Sequence, residues 1–285
     1  MATAEIGQDR QPNRAITRRE ARVGWVPINV REIWEYRELL IFYAIRDIKV
    51  RYKQTFLGFT WAILQPVVTM VVFSIFFGKL AGLESDNVNY PVFVLGALLP
   101  WQLFVYALTQ SSNCLVQDAD VLKKVYFPRL IMPIASVIAG LVDFLIAFAV
   151  LLVVMAYYQV VPTAAVFMLP AYVLLVILAA LAVGFWLSAL NVKYRDVRYV
   201  IPFLAQVWMF ASPVAYSSAL VPEQWKAVYG LNPMVGVIDG FRWALLDSPA
   251  PNTGTLLTST FATCTLLIGG LFFFRRTERH FADIV

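Results

Sequence analysis

The sequence is short of charge. Only 14% of its 285 residues are Asp, Glu, Lys or Arg, about half the roughly 25% of a soluble domain. Its mean hydropathy is +0.69. A chain so poor in charge is excluded as a water-soluble globule, and lipid is the surrounding that its composition requires. Histidine is nearly absent: His280 stands alone behind Arg275, Arg276 and Arg279, with no second ligand beside it, which argues against a metal site. Two cysteines, Cys114 and Cys264, make no disulfide framework. The phosphate-cradling pattern G-x-x-x-x-G-K-[ST] is missing as well, because Gly78-Lys79 is followed by Leu80. What is plentiful is aromatic: 8 Trp, 13 Tyr and 21 Phe, which suit interfacial belts and also the flat faces of sugars.

A helix crosses the hydrocarbon core with about 20 apolar residues, and charge-free runs of that size divide the chain into six predicted spans. The first runs from Phe59 to Gly78 and the second from Tyr90, opened by Pro91, to about Ser112. The third begins near Leu130. The charge-free stretch from Phe144 to Val192 is too long for one helix, and the segment from Tyr157 to Thr163, with Pro162, marks a hairpin before a fourth span from Val166 to Leu190. The fifth runs from Val200 to Ser217 and the sixth from Thr255 to Phe274.

Lys and Arg alternate by loop. The segments before span one, between two and three, between four and five, and after six carry 20 of the 23. The positive-inside rule therefore places both termini in the cytoplasm, and it accounts for the net charge of +5 without nucleic acid. Residues 1–27, with Arg10, Arg14, Arg18, Arg19 and Arg22, read as a mobile basic tail near anionic lipid. Residues 28–58 follow as a unit in which Val30, Ile33, Trp34, Ile41, Ala44, Ile45 and Ile48 recur opposite Arg31, Glu32, Glu35 and Glu38. That pattern predicts an amphipathic helix in the membrane interface. Residues 59–285 form an all-α transmembrane domain.

Between spans five and six, Pro222-Glu223 opens a short helix that stops at Gly230, and Asn232-Pro233 caps another that runs to about Leu246. Neither is long enough to cross, so the pair is expected to be a re-entrant hairpin near the outer face, with Asp239 and Arg242 neutralising each other. Asp118-Ala119-Asp120 has the D-x-D spacing of metal-dependent glycosyltransferases, but with Lys123 and Lys124 just after it suits the charged first turn of a cytoplasmic helix. Asp143 is the one ionisable group inside a span; it must face protein or water, or be protonated. Spans one and five each show a mixed polar and aromatic face at helical spacing. These are Trp61, Gln65, Thr69, Val72 and Phe76, and Phe203, Gln206, Phe210, Pro213 and Ser217. Such a face serves either as helix packing or as a sugar path, with rings against pyranose C–H groups and amides against hydroxyls.

Four blocks, in order, resemble the permease subunit of ABC-2 type exporters of surface polysaccharide, the polysaccharide and polyol phosphate export family. They are Arg46-Asp47-Ile48-Lys49-Val50-Arg51-Tyr52-Lys53 with Gly58; Val121-Leu122-Lys123-Lys124-Val125-Tyr126-Phe127-Pro128-Arg129; Asn191-Val192-Lys193-Tyr194-Arg195-Asp196-Val197; and Leu231-Asn232-Pro233-Met234 through Gly240-Phe241-Arg242-Trp243. The resemblance extends from about Ile28 to the C-terminus. It implies a homodimer of six-span subunits in the cytoplasmic (inner) membrane of a bacterium, exporting an O-antigen-like polymer linked through pyrophosphate to a lipid. ATP and magnesium would sit on two copies of a separate cytoplasmic ABC ATPase, with no cofactor in this chain. Related permeases carry teichoic acid, capsule, lipids or drugs.

On this resemblance Arg46, Asp47, Lys49, Arg51, Asp118 and Asp120 are expected to couple to the ATPase. Arg51, Lys53, Lys123, Lys124 and Arg129 are expected to hold the pyrophosphate head, Arg129 best placed behind Pro128. Trp61, Gln65, Thr69, Phe76, Phe203, Gln206 and Phe210 are expected to line the polymer tunnel. The competing expectations are a membrane-embedded polymer-synthesis enzyme using Asp118 and Asp120, and a proton-coupled carrier, which the lack of further intramembrane acids disfavours.

Overall fold

The computed structural model describes residues 30–53, 58–86, 88–124, 127–246, 248–278 and 281, with the side chains of Val30, Phe59 and Lys123 outside that description. The basic tail of residues 1–27 lies outside the described residues. Among the described residues every regular element is helical. They are α1 (Val30–Glu35), α2 (Arg37–Lys53), α3 (Gly58–Phe73, continued by a π-helical segment Ser74–Leu80), α4 (Tyr90–Gln117), α5 (Ala119–Lys124) and α6 (Ile131–Tyr157). After a 3-10 segment, Ala164–Met168, come α7 (Leu169–Lys193), α8 (Val197–Phe210), α9 (Glu223–Gly230), α10 (Pro233–Leu246) and α11 (Thr253–Glu278).

Among the described residues, five stretches are long and apolar enough to cross a membrane: Thr60–Leu80, Tyr90–Gln117, Ile131–Tyr157, Ala164–Lys193 and Thr253–Glu278. The segment expected as a fifth span, Val200 to Ser217, is helical only in part and is too short as a helix to cross. α8 has 14 residues, about 21 Å at 1.5 Å per residue, against a core of roughly 30 Å. Its end is explained by Pro213, which cannot continue the ladder, and by Asn232, whose Nδ2 donates to the Ala211 carbonyl at 3.0 Å and to Ser212 Oγ at 2.9 Å. The expected interface helix is likewise broken at Tyr36 into α1 and α2. Trp34, Ile41, Phe42, Ile45 and Val50 face outward, and only Tyr43 and Ala44 are buried.

α4 is the axis of the bundle, buried along nearly its whole length, with α3, α6, α7, α8 and α10 packed around it. Its contact with α7 is close because Gly184 lies directly against Ser111, where any Cβ would overlap the hydroxyl, the small-residue packing that lets helices approach in lipid. Nearby, Asn191 Nδ2 donates at 3.0 Å to both the Ser112 carbonyl and Asn113 Oδ1.

The short helices α9 and α10 start and stop at the residues their proline and glycine signals predicted. α10 is almost wholly buried, and Asn232 caps it by accepting from the Met234 N–H at 3.0 Å. Asp239 and Arg242 lie in each other's field, as expected, but without direct contact, and the hydrogen bonds of the guanidinium go elsewhere. The Arg242 guanidinium, fully buried, donates to the carbonyls of Phe93 (3.4 Å), Tyr216 (3.1 Å) and Val214 (3.0 Å), and stacks 3.5 Å over the Phe93 ring. Among the described residues no direct ion pair joins it to Asp239. The turn after α8 leaves carbonyls with no helical partner, and Arg242 satisfies them while tying α10 to α4. Replacing it by Met leaves those carbonyls unpaired, at about 1–3 kcal/mol each. Arg242→Met is therefore expected to lower the thermal unfolding midpoint of the detergent-purified protein markedly; an unchanged midpoint contradicts the account.

Candidate functional site

α2, which ends in the run Arg46 to Lys53, packs on α6 and reaches from the tip of α4 at Asp118 to the middle of α6 at Asp143. Two clusters hold it there. In the first, Arg46 grips Asp118 with both terminal nitrogens, at 2.9 and 2.6 Å, while its Nε and one terminal nitrogen reach Asp47 at 2.9 and 2.8 Å. The guanidinium also stacks over Tyr43 at 4.6 Å. Burial alone would lower its pKa, but the hydrogen bonds it donates to Asp118 and Asp47 prevail and hold it above its ordinary value. Asp118 is the residue that ends α4, its N–H returning to the Cys114 carbonyl, so the bidentate pair fastens α2 to the tip of the central helix.

The second cluster answers the question of the intramembrane acid. Asp143, in α6, forms an ion pair with Arg51 and accepts a hydrogen bond from the Tyr52 hydroxyl, both from the last turn of α2. Arg51 in turn lies 4.5 Å over the Tyr106 ring of α4. Burial, and then the hydrogen bond to Asp143, push the Tyr52 pKa up, so the phenol stays a donor.

Two cavities meet at this cluster. One, of about 640 Å³, runs between α3, α4 and α6 and is bordered by Trp61, Gln65, Thr69, Gln102, Tyr106 and Asp143 among others. The other, of about 500 Å³, opens between α2 and the end of α4 and is bordered by Arg46, Asp118 and Gln117. Arg51, Tyr106 and Gln110 border both. The two cavities thus connect the tip of α4 with the middle of α3 through Arg51, Tyr106 and Gln110, and the wall of the larger one is mostly apolar, with Leu98, Leu99, Phe144 and Met209 among its lining.

The residues singled out in the sequence divide accordingly. Arg46, Asp47 and Asp118 are brought together, whereas Asp120 points away exposed, so the two acids of the D-x-D do not converge. Lys49, Lys53 and Lys124 are exposed. Arg129, expected as the best-placed head-group cation, turns instead to the end of α11, donating from its guanidinium to the Glu278 carbonyl and lying 5.6 Å over Phe281. Trp61, Gln65 and Thr69 border the larger cavity at its open side, Trp61 being 56% exposed and Gln65 exposed with it, while Phe76, Phe203 and Phe210 are 58%, 66% and 58% exposed and border neither cavity, and Gln206 is exposed beside them. The two expected stripes therefore do not face each other within one chain, because α3 and α8 each pack on α4 and the α8 stripe looks outward. The residues overlooked lie on α4: Gln102, Tyr106, Thr109 and Gln110 all border the larger cavity. Their spacing of three to four was visible in the sequence.

Comparison with known proteins follows the same outline. Residues 38–246 match the ABC-2 type transporter family. The chain is 30% identical over 258 residues to the O-antigen export system permease protein RfbA of Myxococcus xanthus, covering 90% of this chain and 98% of the relative. It is 26% identical to the protein of that name in Klebsiella pneumoniae over 249 residues, 87% and 95% of the two chains. With the polysialic acid transport protein KpsM of Escherichia coli the identity is 25% over 242 residues, 82% and 91% of the two. The matched region contains both α2 ion-pair clusters, both cavities and the buried Arg242, and the chain belongs to the ABC-2 type transporter family.

Proposed function

We propose that this chain is the transmembrane subunit of an ATP-driven exporter that moves a lipid-linked surface polysaccharide, O-antigen-like, across the cytoplasmic membrane of a bacterium. The observation that carries the reading is the larger cavity, whose mostly apolar wall carries the Trp61, Trp101 and Tyr106 rings together with the Gln65, Thr69, Gln102 and Gln110 side chains. Such a wall gives sugars stacking faces and exchangeable hydrogen bonds without a single deep well. The names of the relatives support polysaccharide as the cargo. The Lys and Arg asymmetry supports cytoplasmic termini, with α8 and the turn after it as a sixth crossing.

The chain works as a homodimer with two copies of a separate ABC ATPase, which holds ATP and magnesium. The exposed stripe of Phe203, Gln206 and Phe210, together with Phe76 on a weakly buried α3, supports a second copy closing the path. α2 is the coupling element: its exposed Lys49, with Asp120 on α5, meets the ATPase, and Arg46, Asp47 and Asp118 make α2 and α4 one lever. The pyrophosphate head is held by Arg51, Lys53, Lys123 and Lys124. Arg129 braces α11.

Two outcomes test this. Cysteines placed at Gln65 and Gln102 should react with a membrane-impermeant thiol reagent, and Trp61→Ala should lower export several-fold with expression near normal. Protection of both cysteines in every nucleotide state, with export intact, would remove the polymer from this cavity. Arg46→Asp should leave ATP hydrolysis but reduce export by about tenfold or more, since it replaces a part-buried bidentate pair by a third carboxylate beside Asp47 and Asp118 and so parts α2 from the tip of α4. Arg46→Asp with Asp118→Arg should recover part of the export. Equal export from the single and double variants would show that the pair does not transmit the stroke.

A further inference from the structure

Arg51 stands at the junction of both cavities, and the anion it holds is part of the protein. Its side chain is 39% exposed and that of Asp143 21%, so an arriving ligand can reach the pair from either cavity. A guanidinium that grips a carboxylate presents to it the same planar donors with which it grips a phosphate. We infer that Asp143 is an internal stand-in for phosphate, and that a diphosphate ester entering the cavities takes Arg51 from it. The inference rests on the reading of the chain as an exporter of a diphosphate-linked polymer and adds how loading is registered.

The surroundings suit an exchange. When Arg51 leaves, Asp143 keeps the Tyr52 hydroxyl as a donor, so the carboxylate is not left bare inside a spanning helix, where an unpaired charge is costly. Arg51 keeps the face of Tyr106 beneath it, and the Gln110 amide borders both cavities and adds a second donor for the incoming oxygens. Arg46 still holds the middle of α2 to Asp118. Loading therefore leaves the last turn of α2 held to α6 through Tyr52 alone while its link to α4 persists, and the helix that touches the ATPase loosens its attachment only when a head group is present.

The test uses the complete complex of this subunit with its ATPase in lipid nanodiscs, and compares binding of a polyisoprenyl diphosphate with that of the polyisoprenol of equal length. Wild type should prefer the diphosphate. Asp143→Asn removes the competitor and should tighten diphosphate binding on the order of fivefold, the worth of one partly exposed ion pair. Arg51→Gln should abolish the preference. Tyr52→Phe withdraws the donor that lets Asp143 release Arg51 and should weaken diphosphate binding, a change of opposite sign that general loosening of the helix does not produce in company with the first. If wild type prefers the diphosphate but Asp143→Asn binds it no tighter, or less well, the pair is structural and the exchange is wrong while the exporter reading stands. If wild type shows no preference for the diphosphate over the alcohol, the head-group assignment fails and the exchange fails with it.

Discussion

A carboxylate inside a spanning helix must be compensated, and the compensation of Asp143 organises the functional end of this protein. At about 2.5–3.5 kcal/mol for a charged group at the bilayer centre, Asp143 cannot be left facing lipid, and Arg51 and Tyr52 supply the partners. Because both lie in the last turn of α2, the helix is drawn onto α6 and over the mouth of the cavity that Trp61 and Gln65 border. Arg46 and Asp118 hold the same helix one turn earlier to the tip of α4. On the proposed reading, a partner that pushes on α2 pushes also on the axis of the bundle, and a ligand that competes for Arg51 would alter how α2 is held.

The opposite end uses a buried cation differently. Arg242 has no carboxylate on its guanidinium; it satisfies backbone carbonyls left open where α8 stops short. Asn232 serves both sides of that break, accepting from the Trp208 indole N–H at 2.9 Å and donating to Ala211 and Ser212. Irregular backbone at this depth is tolerated because protein groups replace the missing helical bonds. The short α8 and the buried α10 are thus two halves of one solution.

Much of this was legible from residue order. Charge-free runs located five helices to within a few residues, and proline, asparagine and glycine signals located α9 and α10, because those features act on their own neighbours. The partners of Asp143 were not legible: Tyr52 and Arg51 lie about ninety residues away in sequence, and no local pattern links them. The same holds for Arg242, whose nearest acid in sequence, Asp239, drew attention from carbonyls on other segments. Of the two stripes, Trp61, Gln65 and Thr69 lie on α3 and Phe203, Gln206 and Phe210 on α8, but Phe76 falls in the π-helical segment and Pro213 and Ser217 are buried beyond the end of α8; periodicity assumes one continuous helix and does not say what its side meets. The polar face of α4 had the same periodicity and was missed because the rest of that helix is so apolar.

The claim that α2 and α4 move as one lever is open to a direct measurement. Spin labels at Lys49 on α2 and Lys124 on α5, just past the tip of α4, report their separation by pulsed electron resonance in the assembled transporter. The account predicts a separation that stays the same with and without ATP, while the distance between Lys49 and its counterpart in the partner copy changes. A Lys49 to Lys124 distance that shifts on ATP binding, with the distance between copies constant, would contradict it.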